Sequence, residues 1–135
     1  MSTPDSGQSD EGEPEPVVCR AFAELVGRQA WRSVTFTSSA GAGRIEVEFN
    51  GQSYRLLIRH AERRGLLPRL QTLGYGIPSW WSMVHDRRSG WLSKGRLEVV
   101  VPEAERAAVE ALVHLIGREV FGWKRTDPWT ARLKR

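Results

Sequence analysis

The sequence holds a single cysteine, Cys19, and no apolar run approaching the roughly 20 residues that a membrane-spanning helix needs. A lone cysteine excludes a disulfide framework and makes a reducing compartment the expectation. The first residues lack the basic segment and apolar stretch of a secretory signal, so the expected location is cytoplasmic, with no membrane partner. Histidine is equally scarce. His60, His85 and His114 lie 25 and 29 residues apart, and none stands near Cys19, so metal-ligand spacing is absent and no metal is expected. Lysine occurs three times against 17 arginines, a bias read here as compositional habit.

Motifs for enzyme chemistry are also missing. Gly41-Ala42-Gly43 starts like a dinucleotide fingerprint, but Glu46 stands where the third glycine belongs and a strand follows where a helix should begin. There is no Gly-x-Ser-x-Gly elbow. Glu46 and Glu48 share a strand face, which reads as a solvated surface. An enzyme would need a site assembled from distant residues such as His60, His85 and Glu98. The expectation is a non-enzymatic protein with no cofactor.

What the chain does have is charge divided along its length. Residues 1–16 carry Asp5, Asp10, Glu11, Glu13 and Glu15 and no base, a charge of −5. The remaining residues hold 20 bases against 11 acids, or +9. The acidic stretch has no residue more apolar than Met1, so burial cannot offset the entropy of ordering it; it is expected as a disordered tail. Residues 17–123 then form a single domain, large enough for one hydrophobic core. Residues 124–135 make a basic, irregular C-terminal tail.

Periodicity supplies the elements. Val18, Phe22, Leu25 and Val26 mark an amphipathic helix over about 17–30. Val34 and Phe36 alternate with Ser33, Thr35 and Thr37 as a half-buried strand, followed by a flexible turn over residues 38–43. Two further alternating runs, through Ile45, Val47 and Phe49 and through Tyr54, Leu56 and Ile58, flank Asn50-Gly51, the strongest short hairpin signal. A two-residue turn there sets Val47 against Tyr54, Ile45 against Leu56 and Glu46 against Arg55.

Leu67, Leu70 and Leu73 give a short helix at about 67–73, with Pro68 in its first turn and Gly74 as its C-cap. Ser79–His85 reads as a strand, Asp86–Gly90 as a charged turn, Trp91 and Leu92 as the start of the return, and Leu97–Val101 as a confident strand. Pro102 opens the last helix, striped by Val109, Leu112, Val113, Ile116 and Val120 and stopped by Gly122. The fold class is α+β: an antiparallel sheet of about five strands with three helices, in the order α-β-β-β-α-β-β-α.

The six tryptophans point to binding. Consecutive Trp80 and Trp81 on a strand would send one indole to each face, so one must be covered by a helix, a ligand or a second subunit. The expected binding residues are Trp80, Trp81, Met83 and Trp91, then Tyr54 and Tyr75, with Arg55, Arg87 and Arg88 to anchor an acidic client. The expected partner is a protein or peptide client, or a second copy in a homodimer. The alternative is a small basic nucleic-acid-binding domain modulated by the acidic tail. The sequence argues against nucleic acid: its bases are spread along the chain, no helix carries a one-sided arginine row, and no RNP aromatic-basic signature is present.

Leu70-x-x-Leu73-Gly74-Tyr75-x-x-Pro78, a downstream Trp, and Arg118-Glu119-Val120-Phe121-Gly122 closing the last helix form a recognisable set. Over about residues 18–123 the chain resembles the type III secretion chaperone and YbjN-like superfamily, especially the actinobacterial TY-Chap domains. That resemblance implies a bacterial, chaperone-like, secretion-associated module that binds an extended client segment. Trp80-Trp81, the charged turn after them and the basic ending depart from the group's pattern and leave client specificity open.

Overall fold

The structure, a computed structural model, describes residues 7–27, 31–39, 41, 43–124 and 126–135. Parts of the expected N-terminal tail (1–6), first helix (28–30), turn (40 and 42) and basic ending (125) lie outside them. The fold is α+β, with three α-helices and one seven-stranded antiparallel sheet among the described residues. Strand β1 (Gly7–Gly12) precedes helix α1 (Pro14–Gly27), and strands β2 (Ser33–Ser38), β3 (Arg44–Phe49) and β4 (Ser53–His60) follow. Helix α2 (Leu66–Thr72), strands β5 (Ser82–Arg87) and β6 (Gly95–Pro102), helix α3 (Arg106–Leu115) and strand β7 (Trp129–Lys134) complete it. The sheet order is β1-β7-β2-β3-β4-β6-β5.

The sheet therefore has two strands more than expected, one before and one after the anticipated order. Strand β7 lies in the basic ending and pairs along all six residues with β2, from Ser33 opposite Lys134 to Ser38 opposite Trp129. Its own sequence carries the reason: Trp129, Ala131 and Leu133 are buried and alternate with Thr130, Arg132 and Lys134. Strand β1 lies in the acidic stretch, without an apolar side chain. Backbone pairing to β7 holds it, from Gly7 opposite Lys134 to Gly12 opposite Trp129. Asp10 adds a two-point contact to the Arg20 guanidinium of α1, at 2.7 and 3.2 Å.

The β3–β4 hairpin forms, but shifted by two residues from the expected register. Phe49 faces Tyr54, Val47 faces Leu56 and Glu48 faces Arg55. Asn50 is not a central turn residue. Its Oδ1 accepts the N–H groups of Gln52 and Ser53, each at 2.8 Å, and its own N–H bonds the Ser53 carbonyl. The turn thus closes around Gly51, whose φ of 92° suits glycine, and Gln52. A shift of two keeps every side chain on its face, so alternation alone cannot distinguish the registers.

Helices cover one side of the sheet. Val17, Val18, Phe22 and Leu25 of α1, Leu66 and Leu70 of α2, and Val109, Leu112 and Val113 of α3 share one cluster with the inward residues of β2, β3, β4, β6 and β7. Phe22 packs on Phe36 at 6.1 Å and on Tyr54 at 5.7 Å between ring centres. After α3 the chain widens into a π-helical turn, Ile116–Val120. Gly117 lies there because a β-carbon would stand 2.5 Å from the Trp129 ring and 2.8 Å from that of Trp123. The two indoles meet edge-on at 4.9 Å and close that end of the core. No described helix joins the opposite face of the sheet, which displays the alternate, mostly polar residues.

Candidate functional site

Among the described residues the large, exposed apolar side chains are Trp80, Met83, Val84, Trp91 and Leu92. All five fall on or beside β5, a strand at the end of the sheet whose six residues are all exposed. One side of β5 pairs with β6; its other side offers unpaired backbone groups. The pairing shifts between Met83 and His85, where Val84 bulges out.

The two adjacent indoles are not on a strand, contrary to expectation. The Trp81 N–H bonds the Pro78 carbonyl at 3.1 Å, which turns the chain just ahead of β5. Glu105, at the start of the last helical segment, then holds both rings. Its carboxylate accepts Trp80 Nε1–H at 2.8 Å and Trp81 Nε1–H at 3.1 Å. Trp81 is 5% exposed and belongs to the core, whereas Trp80 is 66% exposed with its ring oriented by that carboxylate. An indole anchored at its polar edge presents its apolar face to solvent at low entropic cost.

The remaining expected residues divide. Met83 is exposed on β5, and Trp91 is 92% exposed in the loop after it. Trp91 and Leu92 do not begin the return strand, which starts at Gly95. Tyr54 is fully buried, packed on Phe22 and Phe49, and cannot meet a client; burial raises its pKa above the ordinary phenol value. Tyr75 is half-buried against the core, and burial likewise raises its pKa. Arg55 extends over the open face to Glu98, at 3.3 Å. Arg87 donates to the Lys94 carbonyl at 3.0 Å, and Arg88 is exposed beside Gly65.

His60, His85 and Glu98 do not converge. His85 stands opposite Glu98 across the β5–β6 pair, but His60 points to the helix-covered side. Glu98 is buried and clamped by Arg96 at 2.8 Å and Arg55. Gly95 makes room for the His60 ring: a β-carbon there would also lie 2.7 Å from the Arg87 carbonyl. Among the described residues no group of three His, Cys, Asp or Glu side chains could hold a metal ion, and no helix is long and apolar enough to cross a membrane.

Sequence reasoning missed Val84, Leu92 and Glu105. Leu92 was concealed by its expected place in a strand, and Glu105 by the general preference for acids in a first helical turn. No family model matches the chain, and no curated protein or solved structure matches it either.

Proposed function

We propose that this protein is a chaperone-like binding module that docks an extended segment of a protein partner along the free edge of β5. The observation that carries this reading is the gathering of Trp80, Met83, Val84, Trp91 and Leu92 at one sheet edge. An extended segment added there would gain backbone hydrogen bonds from β5 and place apolar side chains against Trp80 and Met83. The likeness of the Leu70–Pro78 passage to TY-Chap and YbjN-like domains supports the same reading, including its secretion-associated, actinobacterial setting.

A displayed library of linear peptides, selected on the immobilised protein, tests it. Selected peptides should be apolar and extended, should protect the β5 amides from hydrogen exchange, and should lose roughly tenfold or more in affinity on Trp80→Ala. Protection of β5 at rising protein concentration without peptide would make a second copy the occupant. Selection of no peptide, or binding indifferent to Trp80→Ala and Met83→Ala, would overturn the reading.

A further inference from the structure

The strand register brings together a charge pattern that the sequence scatters. Arg44 stands opposite Arg59, Arg59 opposite Arg96, and Arg96 opposite Arg87, across β3, β4, β6 and β5. Their neighbours Ile45, Ile58 and Leu97 point into the core, so the four guanidiniums emerge on the helix-free face. At about 4.8 Å between strands the row spans roughly 14 Å. Like charges directly opposite one another destabilise a sheet, so folding gains nothing from this arrangement.

The row is little neutralised. Arg96 bonds Glu98, which also serves Arg55, and Arg87 bonds a carbonyl rather than a carboxylate. Arg44 and Arg59 are exposed and form no ion pair among the described residues. A recess of about 320 Å³ opens beside them, lined by Arg59, Arg87, Lys94, Gly95 and Arg96. The chain's own acids at Asp10 and Glu11 lie on β1, with β7 and β2 between them and β3, so these acids do not cover the row.

We infer that this row is a binding site for single-stranded nucleic acid, with phosphates on the arginines and a base stacked on Trp91. The direction of the row decides between polyanions. A peptide added to the β5 edge runs along the strands and meets only Arg87, while the row runs across them. A ligand lying across four strands gains no backbone ladder and must bring its own regularly repeated charge, as a phosphodiester chain does. Trp91, 92% exposed in the loop leading to Lys94 and Gly95, supplies the stacking surface that such binding uses. The two readings share Trp91 and the strand that carries Arg87, but Arg44, Arg59 and Arg96 lie outside the peptide-docking edge and Trp80 and Met83 lie outside the row, so each can fail without the other.

Fluorescence anisotropy with labelled single-stranded oligonucleotides tests it on the full chain. Four phosphate contacts give log K against log salt a slope of about −2.8, or roughly a 50-fold loss between 50 and 200 mM salt. The triple variant Arg44→Gln/Arg59→Gln/Arg87→Gln spares the arginine that holds Glu98. It should flatten the slope to about −0.7 and melt no lower than the parent. Trp91 emission should be quenched by the oligonucleotide, and a duplex of the same sequence should quench it less. Lack of binding at low salt, or binding unchanged in the triple variant, would overturn the inference. So would tighter, arginine-dependent binding of polyglutamate than of the oligonucleotide, which would assign the row to an acidic protein segment.

Discussion

Strands β1 and β5 both lie at edges of the same sheet, yet they treat the exposed edge in opposite ways. Strand β1 contains only Gly, Gln, Ser, Asp and Glu, and the Asp10–Arg20 pair ties it to α1. Nothing along it attracts an apolar partner. Strand β5 is divided: His85, Asp86 and Arg87 discourage pairing at one end, while Trp80, Met83 and Val84 leave the other end adhesive. Charge is a usual guard of an edge, so its confinement to half of β5 is what sets the proposed docking edge apart from the guarded β1.

The largest contrast is expected between the tryptophans beside these edges. Trp129 is fully buried at the start of β7, the neighbour of β1, and packed on Trp123, so Trp129→Ala should cost roughly 3–5 kcal/mol in urea denaturation. It should also release β1, whose pairing partner β7 begins at that residue. Trp91→Ala removes a ring that touches little and should leave stability within about 0.5 kcal/mol of the parent. Similar losses from both would mean that the loop after β5 packs on the fold and is not a free surface.

That contrast also shows what the sequence could reveal. The core helices, β2 and the β3–β4 hairpin follow from periodicity, because burying a stripe requires it. Strand β7 was equally legible in Trp129, Ala131 and Leu133, but the charges between them made the ending resemble a tail. Strand β1 was not legible: its ordering comes from backbone bonds to a partner more than 100 residues away. The two-residue register shift arose from the Asn50 side chain competing with the backbone for the turn. The arginine row needed all these pairings at once, which is why bases spread along the chain concealed it. Of the apolar and aromatic candidates, Trp80, Met83 and Trp91 lie at one edge, whereas Trp81 and Tyr54 serve the core.

The two sides also differ in how they should respond to acid, because each has a histidine beneath it. His60 sits against Gly95 on the β5 side, and His114 packs at a tilt on Trp129, 5.4 Å between ring centres, on the β7 side. Burial lowers both pKa values. At His60, Glu62, Asp86 and the Arg87 carbonyl oppose the change, and at His114 Arg118 adds to it against Glu15 and Glu110. The unfolded chain therefore binds more protons than the native one below about pH 6.5. Stability should be full above that pH and fall as pH drops through the folded values. His60→Gln and His114→Gln should each flatten urea midpoints measured from about pH 8 to about pH 5. Hydrogen exchange should place the acid sensitivity of the first in β5–β6 and that of the second in β7; an unchanged slope in both would show that neither ring carries the effect.

The smallest expected effect concerns the guard on β1. The Arg20–Asp10 contact is two-pointed but exposed, with side chains 53% and 32% accessible, so solvent and salt screen most of it. Asp10→Ala should therefore leave the urea midpoint unchanged within error. Its consequence should be local: β1 amides paired with β7 should exchange faster, while those of β5 and β6 keep their rates. Added salt should reproduce the change in the parent and have little effect on the variant. If β1 exchange did not respond to the substitution, the ladder to β7 would be sufficient by itself. The difference between the two edges would then rest wholly on the apolar side chains of β5.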